Sequence, residues 1–290
     1  MWITTLVHLV RSRSLVYAFA ISALGAFLIS SGGKVPDFSI PIRLVASTYL
    51  VALATYLYND ITDYQIDKIN NRRSAHELDS IKHRITICYT IAFFVIATVL
   101  AFSINIATGS ASLIFSGLAI AYSNPRIQLK NMFVIKTAVT GSGAFITSMM
   151  GCLASGTFSY LGIIASLIPF LFYFILGPLG DISDLKGDSK AGRRTFPIVL
   201  GIKRTLIITV SAIFIIASLF FISNMYLGIS IAGTVVGIVV TMFMLSKIYK
   251  ASKHYDDKLE LSKCRRSIRY CIFACQISLL TGVLTTGIFF

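Results

Sequence analysis

The chain alternates between long unbroken apolar stretches and short polar segments. Nine apolar stretches run near 14–30, 41–59, 84–105, 109–123, 132–153, 159–180, 203–223, 226–246 and 268–290. Most approach the roughly 20 residues that carry a helix across a bilayer. The fourth is short, bounded by Gly109 and Pro125. A transmembrane barrel would instead show ten-residue segments of strict alternation. The pattern predicts an all-α membrane protein of nine transmembrane helices, with residues 1–290 as one polytopic domain. The longest polar segments, 60–83, 181–197 and 247–267, follow the second, sixth and eighth spans and so share one face.

Composition narrows the classes further. The chain is 56% hydrophobic and 13% charged, against about 25% charged in a soluble domain, and its mean hydropathy is +0.79. Five cysteines in 290 residues are too sparse, and odd in number, for a secreted disulfide scaffold. The net charge of +14 would suit a nucleic-acid binder, but the apolar content excludes one. Topology explains the charge. With the N-terminus inside, 24 of the 26 Lys and Arg fall on the inside face, and only Lys34 and Arg43 lie outside. That is the positive-inside bias, supplemented by attraction to anionic membrane lipids. The reading is a multi-pass cell-membrane protein with its N-terminus and polar loops in the cytoplasm. Residues 1–13 lack a signal-peptide pattern, and Trp2–Val10 reads as an interfacial helix.

The twelve carboxylates carry the functional clue. Eleven fall on the inside face; Asp37 does not. Six form two clusters, Asp60, Asp63 and Asp67, and Asp181, Asp184 and Asp188. Both have the spacing i, i+3, i+7, which on a helix lines three carboxylates along one face. Each sits where an even-numbered span reaches the inside surface, so the chain reads as two pseudo-repeated acid-bearing units. Like charges on one helical face repel by a few tenths of a kcal/mol per pair, and low-dielectric lipid raises that cost. Divalent cations remove it, and Mg²⁺ prefers one or two carboxylates with water and substrate phosphates. Two facing clusters are thus a clamp for metal ions that hold a diphosphate. Solvated helix ends and an ion pathway are the alternatives. A pathway would place acids in the span centres, and none lies there.

These residues resemble the motifs of the UbiA superfamily of intramembrane prenyltransferases. Asn59, Asp60, Asp63 and Asp67 are similar to its NDxxDxxxD. Asp181, Asp184, Gly187, Asp188, Gly192, Thr195, Pro197, Leu200 and Gly201 are similar to DxxDxxGDxxxGxxTxPxxLG. The segment from Tyr122 to Lys130 resembles YSxPPxxLK. The resemblance covers essentially the whole chain and implies nine helices in a ring around a central cavity. It implies that Asp60, Asp63, Asp67, Asp181, Asp184 and Asp188 bind Mg²⁺ carrying a polyprenyl diphosphate. Asn59 would orient the first motif, and Lys130 would contact the diphosphate. One departure stands out. Relatives read INRPxRPxPxG after the first motif, whereas residues 69–77 here contain no proline. Arg72 and Arg73 remain candidates to reach phosphate, and the acceptor class stays open.

The implied activity moves an isoprenyl chain from a polyprenyl diphosphate to a lipophilic acceptor. Stabilising the leaving diphosphate is electrostatic catalysis at a preorganised site, and the allylic cation needs a dry pocket. Aromatic faces favour that cation; Tyr122 is the leading candidate, followed by Tyr56, Tyr58, Phe172 and Tyr173. Asp63 is the candidate to take the acceptor's proton. Geranylgeranylglyceryl phosphate is the preferred acceptor because the loops are cationic and it is anionic; quinone precursors and porphyrin-type rings follow. A terpene cyclase without acceptor and a non-catalytic carrier of a phosphorylated lipid or ion are the alternatives. Lys136 reads as a snorkelling lysine, Gly141 and Gly143 as helix-packing positions, Gly180 as a loosened helix end or a place of close approach to a ligand, Cys271 and Cys275 as packing, and 247–269 as a basic lipid-facing loop.

Overall fold

The structure, a computed structural model, describes residues 16–69, 80–127, 129–190 and 192–286, without the side chains at 65–69, 80–82, 131 and 186. The helices are α1 (Val16–Ser30), α2 (Ser39–Ile69), α3 (Ser80–Phe102), α4 (Ile106–Ser123), α5 (Ile135–Ala154), α6 (Tyr160–Ser183), the short α7 (Leu185–Lys190) and α8 (Phe196–Leu200), α9 (Ile202–Leu227), α10 (Ile231–Lys253) and α11 (Lys258–Leu284). A single 3₁₀ turn, Leu129–Asn131, precedes α5. Among the described residues there is no strand. Eight helices, α2 to α6 and α9 to α11, are long and apolar enough to cross a membrane; α1, with 15 described residues, is apolar but shorter. The structure thus supports eight of the nine expected spans by length. The proposed interfacial helix Trp2–Val10 lies outside the described residues.

Local chemistry sets the helix ends. Asn105, Ser159, Ser230 and Asp257 cap the starts of α4, α6, α10 and α11, each accepting from a backbone N–H of the first turn, which satisfies donors that otherwise have no partner. Gly228 ends α9 in the left-handed conformation at φ 72°. Two expected boundaries move. Helix α2 runs to Ile69, a further ten residues past the apolar stretch, so the first acid motif is helical. Helix α11 begins at Lys258, so much of the run expected as a basic loop is helix. Its cap at Asp257 and the Glu260–Lys263 ion pair at 2.9 Å support that first turn.

Each long helix packs on its sequence neighbour, α6 packs on α9, and α11 returns to α1, closing a ring. Lipid gives apolar side chains no incentive to associate, so membrane helices join by close packing and shared hydrogen bonds. Here a Cβ on Gly151 of α5 would stand 1.8 Å from the Ala23 carbonyl of α1, and one on Gly233 of α10 would stand 2.4 Å from Gly282 Cα of α11. Gln276 Nε2 donates to the Ser22 carbonyl at 3.1 Å, and Ser47 Oγ donates to the Ala97 carbonyl at 2.7 Å. The ring is not evenly filled. Side chains of α6, α9, α10 and α11, including Phe172, Phe220, Ile213, Met244, Ile268 and Leu279, form a solid core. The half built by α1, α2, α4, α5 and α6 encloses a cavity.

Candidate active site

The cavity holds about 890 Å³. The last turns of α2 and α6, the end of α4 and the segments after α4 and α6 furnish its polar lining: Asn59, Asp63, Asp181, Asp184 and Asp188 beside Lys130, Lys136, Arg193 and Arg194. About two helical turns deeper, Phe19, Phe115 and Tyr173 line it. The Phe19 ring centroid lies 6.3 Å from Phe115 and 6.5 Å from Tyr173. A charged mouth therefore leads to an aromatic interior.

The first motif occupies continuous helix. Lys130, on the 3₁₀ turn, forms an ion pair with Asp63 and lies 3.5 Å from Asn59 Oδ1. Ser123 Oγ, at the end of α4, donates to the same Asn59 oxygen at 2.9 Å. Asn59 therefore ties α2 to α4 and to the lysine turn. Asp60 is half-buried and is not among the cavity-lining residues. The side chain of Asp67, and Arg72 and Arg73 entirely, lie outside the described residues.

The second motif has the same spacing but a different backbone. Helix α6 ends at Ser183, Asp184 caps it at φ −101°, ψ 5°, and α7 begins at Leu185. The expected single helical face is therefore broken at its middle acid. Asp181 stays in the last turn of α6, and Asp188 sits on α7. Lys136 Nζ donates to Asp181 Oδ1 at 2.9 Å, and Arg193 Nη1 donates to Asp188 Oδ1 at 3.2 Å. Lys136 thus does not snorkel to an interface; it is a component of the cavity. Thr195 Oγ1 is buried at the cavity wall with no hydrogen-bond partner among the described residues.

Behind this motif stands Arg265 of α11. A Cβ on Gly180 would lie 3.0 Å from its Nη2 and 3.1 Å from its Cζ. Gly180 is therefore the seat of a guanidinium rather than a point of ligand approach. The Arg265 charge acts on Asp184 and Asp181. Its Nε and that of Arg269, one turn deeper, are buried without a hydrogen-bond partner among the described residues.

A model of the family described as UbiA prenyltransferase matches residues 19–268. The chain belongs to the UbiA prenyltransferase family. A digeranylgeranylglyceryl phosphate synthase of Halobacterium salinarum is 31% identical over 73% of this chain and 74% of its own length. One of Pyrococcus furiosus is 26% identical over 97% and 98%. Among solved structures, one described as a study of digeranylgeranylglyceryl phosphate synthase in membranes superposes with TM-score 0.79 at 19% identity, covering 98% of this chain and 99% of that one. A UbiA homolog from Archaeoglobus fulgidus bound to GPP and Mg²⁺ gives 0.66 at 17% identity, covering 96% and 99%.

The donor set of this UbiA-family chain fits a hard divalent cation. Four carboxylates face one cavity, yet among the described residues no three acidic, His or Cys side chains converge on a single point. That suits Mg²⁺, which takes one or two carboxylates and completes its shell with water and substrate phosphate. The candidate aromatics separate cleanly. Tyr56, Tyr122 and Tyr173 line the cavity, whereas Tyr58 does not and Phe172 is fully buried in the solid core. Gly141 packs against Phe170, as expected, but Gly143 faces Phe115 at the cavity wall. Sequence reasoning missed Phe19 and Phe115, which look like any lipid-facing phenylalanine. It also missed Arg265, whose signal was a basic residue at helical spacing from Arg269 just ahead of an apolar stretch.

Proposed function

We propose that this chain transfers a geranylgeranyl group from geranylgeranyl diphosphate to geranylgeranylglyceryl phosphate, forming digeranylgeranylglyceryl phosphate in ether-lipid synthesis. The observation that carries this reading is one cavity with Asn59 and Asp63 of the first motif, the three acids of the second and four cations at its mouth, and aromatic rings at depth. The names of the relatives supply the acceptor class.

Asp63 and Asp67 from the first motif, with Asp60 beside them, and Asp181, Asp184 and Asp188 from the second, are the groups that would hold Mg²⁺. Bound Mg²⁺ supplies charge neutralisation for the leaving diphosphate. Lys130 donates to the diphosphate and Asn59 holds Lys130 in place, while Arg72 and Arg73, outside the described residues, stay candidates to contact phosphate. The glycerol hydroxyl oxygen of the acceptor attacks C1 of the isoprenoid, the C1–O bond to diphosphate breaks, and the hydroxyl proton passes to Asp63. Pyrophosphate leaves with the bonding pair. Phe19, Phe115 and Tyr173 exclude water from the allylic cation, and the Tyr122 ring face stabilises it. The excess of Lys and Arg on this face supports a cytoplasmic mouth in the cell membrane.

The test is product analysis by mass spectrometry. Purified protein in detergent receives geranylgeranyl diphosphate, Mg²⁺ and each acceptor class in turn. Pyrophosphate release with formation of digeranylgeranylglyceryl phosphate is the expected result. A hydrocarbon product without acceptor would establish a cyclase instead. Diphosphate binding without pyrophosphate release under all conditions would establish a carrier.

A further inference from the structure

The stretch from the 3₁₀ turn after α4 into the first turn of α5 carries two lysines six residues apart, and each grips a different acid motif. Lys130 pairs with Asp63 of α2, and Lys136 pairs with Asp181 of α6. The turn between them is strained. Val134, immediately before α5, has φ 65° and ψ −45°, a conformation that a β-branched residue rarely adopts. Its neighbour Phe133 packs edge-on against Phe196 at 5.3 Å, which holds the turn beside the second motif. Strain retained in this way is characteristic of functional segments.

The two pairs differ in exposure. The Lys130 and Asp63 side chains are 15% and 18% exposed, so that pair is closed. The Lys136 side chain is 38% exposed while Asp181 is 8% exposed. Both residues line the cavity, so the ammonium is the open partner and the carboxylate is set in the wall. The described cavity lining holds four carboxylates and four Lys or Arg side chains, so its formal charges cancel before any substrate enters. Each arriving phosphate monoester adds about −1.5 to −2. A carboxylate drawn into a metal shell no longer needs its ammonium, and the freed ammonium faces the incoming anion.

We propose that Lys136 is a second phosphoryl-binding lysine, held by Asp181 until a divalent cation takes that carboxylate and then released to a phosphoryl oxygen of substrate. This rests on the metal-dependent prenyl transfer proposed above. The recognised chemistry is a phosphoryl oxygen, supplied by the donor diphosphate or by the acceptor phosphate.

The test compares wild type with Lys136→Gln and Lys136→Arg in detergent, by equilibrium binding rather than turnover. Mn²⁺ titration without substrate, followed by electron paramagnetic resonance, reads competition for Asp181. Lys136→Gln should bind Mn²⁺ at least threefold more tightly, because Asp181 has lost its ammonium. Inorganic pyrophosphate and geranylgeranylglyceryl phosphate are then titrated separately into the Mg²⁺-loaded protein. Loss of a charge-assisted hydrogen bond predicts an affinity roughly tenfold weaker in Lys136→Gln. If pyrophosphate alone weakens, the partner is the donor; if the glyceryl phosphate alone weakens, it is the acceptor. Lys136→Arg, which keeps the charge and controls for folding, should stay within about threefold of wild type. Unchanged Mn²⁺ binding, or a shift of less than twofold with both anions, overturns the proposal. Failure to form the ether-lipid product would not affect these titrations, so the two readings fail separately.

Discussion

The two acid motifs share one spacing and differ in almost everything that surrounds them. The first rides on a continuous 31-residue helix, the second straddles a break between α6 and α7. At the first, Asp63 is engaged by a closed lysine that also reaches Asn59. At the second, Asp181 and Asp188 each have a separate cation, and Arg265 stands behind them. The difference teaches that i, i+3, i+7 spacing specifies which groups come together but not the backbone that brings them. A rigid helix presents its carboxylates in a fixed row. A broken one aims each acid independently, which suits a wall that must meet a substrate of irregular shape.

The largest effects should come from removing one acid from each motif. Asp63→Asn and Asp184→Asn should each lower turnover at saturating substrate by about 100-fold or more, with helical circular dichroism unchanged. Full activity in either would reduce that motif to scaffold. Lys130→Gln comes next. Loss of its charged contact should raise the KM for the donor diphosphate about tenfold, with a smaller change in kcat. An unchanged KM would leave Lys130 only as the latch between Asp63 and Asn59.

Smaller effects sharpen the asymmetry. Arg265 repels a cation bound at the second motif, so Arg265→Gln should tighten substrate-free Mn²⁺ binding about fivefold, on the order of 1 kcal/mol at a protein-like effective dielectric. Weaker binding would show that the guanidinium props the acids in place instead. Gly180→Ala is the mildest change. Its Cβ asks the flexible end of Arg265 to give by a few tenths of an ångström, so the expected loss is about 1 kcal/mol in thermal stability. A loss of several kcal/mol would mean that the guanidinium cannot move.

Much of this was legible in the chain because membranes impose a simple pattern. Long apolar runs made the all-helical membrane fold readable, with eight of the nine expected spans long enough to cross, and Asn59, Asp63, Asp181, Asp184, Asp188, Lys130 and Tyr122, picked out by their spacing in the chain, line one cavity. What stayed hidden depends on approach between helices. Nothing in one dimension shows that Lys136 meets an acid 45 residues away, or that Gly180 leaves room for Arg265. Phe19, Phe115 and Phe172 carry the same apolar signal, yet two line the cavity and one fills the solid core. The extension of α2 and α11 into polar sequence was obscured because hydropathy reports lipid contact, whereas a helix continues wherever its backbone and caps allow.

Whether both motifs hold one metal-bound diphosphate can be read by counting Mn²⁺ bound per chain with a non-ionisable thio analogue of geranylgeranyl diphosphate, in wild type and in Asp63→Asn and Asp184→Asn. Two tightly bound ions are expected in wild type, with the loss of about one in each variant. A wild-type count of one, or a full count in both variants, would contradict a diphosphate held by both motifs.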